Sequence, residues 1–461
     1  MIRLFRHYFP RSLLILGLVE VALVFLSAVL AWELRTLQIG SGSEPFLDRL
    51  PELLCYTVTV YIALLGVGAY QLSSFRSARM TVARLALGLV LTVLALSLII
   101  LLIPGLTFWR SVLFFAVIIS FTFLLLVRGL FLRVIGWQRF REPVVVIGAG
   151  HRGAVIRELA QSDTAGFRIV QHVSLGRGEQ VVEDAVCLDS ISSLADFCFA
   201  NDVEEIVLAL DERRGTLPAH QLLEARLSGV GVTDKTSFIE RMSGRVDLAT
   251  VSHGWFIFSD GFLGSSSLAL LSKRIFDILA STLLLIVTSP IIVIAALAVK
   301  LTSPGPVFYR QERVGQLGRP FWITKFRSMV QDAEKDGAQW AAKKDARVTP
   351  VGRILRATRI DEIPQIFNVL LGDMSFVGPR PERPVFVAEL QQNIPFYAER
   401  HIVKPGITGW AQLNYPYGAS EEDARRKLEY DLYYIKNYSL FFDLVILVQT
   451  ARVVIWQDGV R

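Results

Sequence analysis

KRIFDILASTLLLIVTSPIIVIAALAVKLTSPGP, residues 273–306, decides how this chain sits in space. Its apolar core is long enough for a helix that crosses a bilayer, which takes roughly 20 apolar residues. The flanks resist that reading. Lys273 and Arg274 precede it, and Arg310, Arg313, Arg319, Lys325, Arg327, Lys343, Lys344, Arg347, Arg353, Arg356 and Arg359 follow. Basic residues favour the cytoplasmic side, so both ends read as cytoplasmic. Ser289-Pro290 lies in the middle, where proline deletes a backbone hydrogen bond and bends a helix. A re-entrant helix over about 273–302 satisfies both observations, and a kinked ordinary span is the alternative.

Upstream, four apolar stretches at roughly 13–32, 53–72, 82–103 and 111–135 have spanning length. Arg3, Arg6 and Arg11, then Arg76, Arg79 and Arg84, then Arg128, Arg133, Arg139 and Arg141 alternate with acid-containing loops. That pattern puts the N-terminus and everything after residue 140 in the cytoplasm. Glu20 is the sole acid within a span, so anchoring is expected rather than transport. The first stretch is too long for a cleaved signal peptide. The chain of 461 residues is 52% hydrophobic with a net charge of +6. Its basic residues cluster beside apolar runs, pointing to a membrane surface or phosphate-bearing substrates and not to nucleic acid. Cys55, Cys187 and Cys198 have no metal-ligand spacing and read as core residues.

PVVVIGAGHRG, residues 143–153, reads as a buried strand, a glycine turn and a helix start. Gly148, Gly150 and Gly153 have the G-x-G-x-x-G spacing of a nucleotide-phosphate cradle. Further strand-like runs predict a Rossmann-like domain over 141–255. No acid ends the second strand, where a ribose partner is expected; Arg177 is a candidate for a 2′-phosphate. Both a cofactor site and a structural or regulatory module remain open.

The last third holds TRIDEIPQIFNVLLGDMSFVGPRPERP, residues 358–384. Helical spacing breaks near Thr358 and restarts, with Asp361 at an expected N-cap and Pro364 in the first turn. Asp361 and Glu362 are ringed in sequence by Arg353, Arg356, Arg359, Arg380 and Arg383, with Lys325 and Arg327 in ITKFRSM. An acid pair among cations suits phosphate chemistry, and a solvated salt-bridge network uses the same residue types.

The order of KRIFDI, the Ser-Pro segment, SPGPVFYRQERVGQLGRPFWITKFRSM, DEIPQIFNVLLGDMSFVGPRP and VKPGITGWAQ resembles the bacterial polyprenyl-phosphate sugar-1-phosphate transferases, the monotopic phosphoglycosyl transferases. The resemblance covers about 273–412. The spans and Rossmann-like unit ahead of it resemble the large members, in particular sugar transferases of exopolysaccharide clusters beside exosortase systems. It implies a membrane protein of three parts: a four-helix transmembrane anchor (1–140), an α/β middle domain (141–255) and a mainly helical catalytic domain (270–461).

The resemblance further implies that Asp361 attacks a UDP-sugar, expels UMP and passes the phosphosugar to undecaprenyl phosphate. Glu362 would hold Mg²⁺ or assist the acceptor. Arg356 and Arg380 would bind phosphate, with Lys325 and Arg327 as further candidates and Pro379 and Pro381 fixing Arg380. Such an enzyme belongs in the bacterial inner membrane with its catalytic domain on the cytoplasmic face, and the larger members leave room for a homodimer. Family members often have Ser-Leu where this chain has Arg359-Ile360, and Arg359 is left unassigned. His401 and Trp410 read as packing residues, and 438–456 as an interfacial amphipathic helix. A membrane-anchored nucleotide-sugar epimerase or dehydratase would need a Tyr-x-x-x-Lys pair, and no tyrosine here has lysine four residues on. A non-catalytic assembly scaffold is the other alternative. The sugar itself is not legible.

Overall fold

The computed structural model describes residues 2–4, 7–9, 11–39, 46–70, 78–103, 105–135, 141–162, 165–176, 179–211, 217–249, 251, 253–258, 267–330, 333, 347–416, 418 and 420–456. Arg6, Arg76, Arg139, Arg177, Lys343 and Lys344 lie outside the described residues. The chain is mostly helical, with several apolar helices and a five-stranded parallel sheet, the make-up of a membrane protein. Helices at Leu14–Ile39, Leu47–Gly66, Ala78–Leu101, Arg110–Phe131 and Leu270–Thr302 are long and apolar enough to cross a bilayer. The fold divides into two compact units, one mainly Tyr8–Ser243 and the other mainly Gly244–Arg461.

In the first unit, the first four of these helices pack through Ala28, Ala31, Tyr56, Val60, Leu64, Leu85 and Leu124. Within them lies a polar pair that the sequence reading assigned separately. Arg128, read as a flanking cation, instead sits 1% exposed inside the bundle. Its Nε and Nη2 donate to the two Glu20 oxygens at 2.6 and 3.0 Å, and Nη1 donates to the Ala69 carbonyl at 3.0 Å. A bidentate partner is what lets an acid and a base share an apolar interior.

The same unit carries β1 (Glu142–Ile147), β2 (Phe167–Ser174), β3 (Val186–Cys187), β4 (Glu205–Leu208) and β5 (Gly231–Asp234). All pairings are parallel, in the order β3-β2-β1-β4-β5. That is the doubly wound order through its fifth strand, with the reversal between β1 and β4. Val144, Val145, Val146 and Ile147 are fully buried because both faces of β1 are covered.

In the second unit one helix, Ser267–Thr302, runs through Pro290 without interruption. Pro290 cannot donate to the Ile286 carbonyl four residues back, and the Ser289 hydroxyl does so instead at 2.8 Å. The helix is 36 residues long, about 54 Å at its ordinary rise. Both of its ends are tied to the same globular unit. Near the start, Lys273 pairs with Asp443 at 2.5 Å, Arg274 donates to the Val369 and Leu370 carbonyls, and Asp277 accepts from Ser375 Oγ and the Phe376 amide. Near the end, Ala295 and Val299 pack on Phe326 and Leu355, and Arg327 donates to Ser303. Between them Leu279, Leu283, Ile286, Ile294 and Leu297 are exposed, a continuous apolar face that requires a nonaqueous neighbour.

The buried pair in the first unit yields a direct expectation. Arg128→Ala should destabilise the bundle by about 3–5 kcal/mol, because it strands the Glu20 carboxylate in an apolar interior. The double change Glu20→Leu with Arg128→Met should recover much of that loss in detergent thermal melts. Equal stability of the Arg128→Ala protein and the wild type would contradict the assignment.

Candidate active site

Helix Pro350–Ala357 begins with the Thr349 side chain accepting from the Gly352 amide at 2.9 Å. Gly352 allows that helix to press on residue 328, since a Cβ there would lie 1.9 Å from the Ser328 carbonyl oxygen. The helix ends in a reversal at Arg359, whose φ of 60° is left-handed. Ile360–Glu362 then form a single 3₁₀ turn, and the next helix is Gln365–Leu371 with Pro364 at its N-cap. Asp361 is therefore not the N-cap of that helix, and Pro364 precedes its first turn. The reversal at Arg359 uses up the residues that periodicity assigned to the helix start.

The turn buries Asp361 to 7% exposure and leaves its Oδ1 without a hydrogen-bond partner. Burial first, and then the neighbouring Glu362 charge, push the Asp361 carboxyl up to about 6. Glu362 has the opposite balance. Burial would raise its pKa, but Arg380 and then Lys325 outweigh it and hold the carboxyl well below the usual range. Its Oε1 accepts from Arg380 Nη2 at 2.7 Å and from Lys325 Nζ at 2.8 Å.

Three separate elements supply these partners. Lys325 lies on the hairpin Phe308–Val314 and Pro320–Phe326, in register with Tyr309. Asn368 pins that hairpin to the helix after the turn: its Nδ2 donates to the Trp322 carbonyl at 2.7 Å, and its Oδ1 accepts from the Thr324 amide at 3.1 Å. Arg380 follows the strand Ser375–Val377, which pairs in parallel with Gly406–Thr408. Around it, three successive carbonyls are each captured. Pro379 accepts from the Gly406 amide, Arg380 from Arg400, and Pro381 from Arg313, at 3.0, 3.1 and 3.0 Å. Arg400 is itself fixed by Asp431 and Tyr397. The Pro-Arg-Pro rigidity thus comes from captured carbonyls as well as from proline rings.

A cavity of about 310 Å³ opens over this arrangement, lined among others by Asp361, Arg356, Lys325, Arg327, Arg380 and Arg383. Arg356 makes no side-chain hydrogen bond among the described residues. Arg327 has its Nη2 committed to Ser303, while its buried Nε and Nη1 are without partners. The sequence-derived residues of this site therefore converge, with Ser289 and Pro290 remote in the long helix. Sequence reasoning missed Asn368, Arg313, Arg400 and Asp443, whose value lies in distant partners. The packing residues of ERHIVKPGITGWAQ behave simply: Trp410 Nε1 donates to the Gly244 carbonyl at 2.7 Å, and His401 is buried.

The glycine turn of the first unit is tight for reasons internal to the chain. A Cβ on Gly148, which has φ +130°, would lie 2.2 Å from the Ala209 carbonyl oxygen, and one on Gly153 would lie 2.2 Å from that of Gly148. A Cβ on Gly150 would collide with the Asp211 carboxylate, which accepts from the Arg152 amide at 3.0 Å. That carboxylate occupies the helix start where a ligand phosphate is expected.

Residues 268–457 match the family described as bacterial sugar transferase, and residues 66–216 match a CoA-binding domain. A UDP-glucose:undecaprenyl-phosphate glucose-1-phosphate transferase of Xanthomonas campestris pv. campestris is 33% identical over 334 residues, 68% of this chain and 67% of that protein. The chain belongs to the bacterial sugar transferase family. A UDP-N-acetylgalactosamine-undecaprenyl-phosphate N-acetylgalactosaminephosphotransferase of Aeromonas hydrophila is 45% identical over 240 residues, 52% of this chain and 56% of the relative. A UDP-glucose:undecaprenyl-phosphate glucose-1-phosphate transferase of Klebsiella pneumoniae is 48% identical over 181 residues, 39% of each chain. The chain thus spans about half the length or less of these last two bacterial sugar transferases.

Proposed function

We propose that this protein transfers a sugar 1-phosphate from a UDP-sugar to undecaprenyl phosphate, the membrane step that initiates an exopolysaccharide or other glycoconjugate. The observation that carries this reading is the buried, unpartnered Asp361 Oδ1 in a cavity lined with cations. A carboxylate freed from solvent is a stronger nucleophile, and fixed cations can screen the charge of the diphosphate it must approach. The relatives named for transfer of glucose or N-acetylgalactosamine phosphates support the same substrate class and leave the sugar open.

In the first step an Asp361 oxygen attacks the β-phosphorus. The bond to the UMP oxygen breaks and UMP leaves, so the phosphosugar is held on the carboxylate. In the second step a phosphate oxygen of the lipid attacks the same phosphorus, the aspartyl bond breaks, and the free carboxylate returns. Arg356 and Arg380 bind phosphate, Lys325 assists, and the free edge of Arg327 is available to a phosphate oxygen. Glu362 holds Lys325 and Arg380 in place between turnovers.

Mg²⁺ commonly binds one or two carboxylates together with substrate phosphates and water. Asp361 and Glu362 fit such a partial set, although no group of three His, Cys, Asp or Glu side chains gathers among the described residues. Glu362 would hold the ion, which would neutralise charge on departing UMP. The glycine turn, filled by Asp211, favours a structural or regulatory Rossmann-like domain. Four anchoring spans and a catalytic domain on the cytoplasmic face of the inner membrane complete the architecture, with a homodimer as a fitting assembly. The re-entrant reading of the long helix is supported by its two tethered ends, because a crossing helix would carry one end away from the domain that grips both.

Incubation with a UDP-sugar and no lipid should release UMP and leave a phosphosugar adduct on Asp361, detectable by intact-protein mass spectrometry. Asp361→Asn should abolish both, and wild-type lipid product from that variant would sink the mechanism. UMP release should fall as pH drops through about 6, where the raised Asp361 carboxyl takes up a proton. The rate at pH 5 should be about tenfold below that at pH 7.5, since only the ionised form attacks. A cysteine introduced beyond residue 310 should react with impermeant reagents only from the cytoplasmic side, whereas labelling from outside would establish a full fifth crossing.

A further inference from the structure

A second cavity, of about 290 Å³, lies in the same unit and excludes Asp361. It shares Arg380 and Glu382 with the nucleophile's cavity, and Glu362 also lines it, so the Glu362–Arg380 pair forms a partition between the two. The linings differ in character. The nucleophile's cavity carries seven basic side chains: Arg313, Lys325, Arg327, Arg347, Arg356, Arg380 and Arg383. The second is apolar along Ile363, Ile366, Phe376, Ile407, Ala411 and Leu413, and its four basic side chains, Arg359, Arg380, Arg400 and Lys427, stand beside the acids Glu362, Glu382 and Asp431. Its lining includes Leu284, in the apolar middle of the long helix, and Thr450, on the apolar helix Leu440–Trp456.

A cavity with an apolar wall, reached by the long apolar helix and lined also by the Arg380 guanidinium, has the complementarity of a lipid phosphate: hydrocarbon on one side, anion on the other. We propose that this cavity receives the first isoprenoid units of the polyprenyl phosphate acceptor, and that the acceptor's phosphate engages Arg380 from this side of the partition. The lipid phosphate then takes up the position opposite Asp361 that UMP has vacated, while its hydrocarbon occupies this second cavity. Arg380 exchanges the Glu362 carboxylate for the incoming phosphate. This inference rests on the transfer reading above.

The test uses the full chain in detergent with a diazirine-bearing farnesyl phosphate, followed by peptide mapping. Crosslinks are expected within residues 363–376 and 407–413. Crosslinks confined to 308–330, or absent from both regions, overturn the proposal. As a second measurement, Ala411→Phe and Leu413→Trp fill the cavity from different positions. Each should raise the KM for lipid acceptor at least tenfold more than the KM for UDP-sugar, and the reverse pattern assigns the cavity to the nucleotide sugar. UMP release by wild-type protein without lipid reports separately on the transfer reading. If that release fails while the crosslinks map as expected, the mechanism falls and the lipid chamber stands.

Discussion

One carboxylate oxygen holds the site together. Glu362 Oε1 binds Lys325 from the hairpin and Arg380 from the Pro-Arg-Pro segment, and the backbone of Glu362 continues directly from Asp361. In a partly desolvated place two cations and one anion are held more firmly than at the surface, but only if geometry is fixed in advance. Much of the surrounding structure serves that condition. Asn368 locks the hairpin, three captured carbonyls lock Arg380, and the reversal at Arg359 swings the acid pair inward. The two neighbouring acids then differ sharply. Glu362 is held ionised by its partners, while Asp361 is raised by burial and keeps a bare oxygen. Adjacent residues of the same chemical type are thereby given unlike tasks.

The long helix extends this frame to the membrane. Lys273, Arg274 and Asp277 occupy two turns of one helix, yet they reach three destinations: Asp443, the end of helix Gln365–Leu371, and strand Ser375–Val377. Strand Ser375–Val377 leads within three residues to Arg380. A path of backbone and charge therefore runs from the apolar helix to the Arg380 guanidinium. Lys273 also donates to the Val377 carbonyl at 3.3 Å, next to the glycine that begins the Pro-Arg-Pro segment. The KRIFDI motif thus has a physical content beyond marking a membrane boundary.

What could be read from the sequence was what depends on local order. Apolar run length revealed the long helices, and the valine-rich stretch before Gly148 revealed a buried parallel strand. Clustered basic residues around Asp361 and Glu362 pointed to phosphate, and ordered motifs pointed to the family. What could not be read depends on partners far apart along the chain. Arg128 looked like a boundary charge because its partner, Glu20, is 108 residues away. Asp443 lies within an otherwise apolar helix, and its partner, Lys273, is 170 residues away. Asp361 looked like an N-cap because periodicity cannot register a single left-handed residue at Arg359, which shifts the helix start by three positions. Gly150 matched a phosphate cradle, but only the three-dimensional arrangement brings Asp211 to that helix start.

A cavity rich in basic side chains beside one with an apolar wall suits the constraint that an enzyme of the proposed activity, joining a nucleotide sugar to a lipid, would meet. A diphosphate needs several fixed cations, whereas a polyisoprene needs surface from which water is excluded. One cavity cannot satisfy both without leaving cations unpaired against hydrocarbon or hydrocarbon in contact with solvated ions. Here both chambers abut one guanidinium whose carbonyl, flanking prolines and carboxylate partner are already secured. Arg380 can therefore change anionic partners without moving its backbone. Because a fixed charge costs little reorganisation at the moment of reaction, the same residue can serve two successive phosphates.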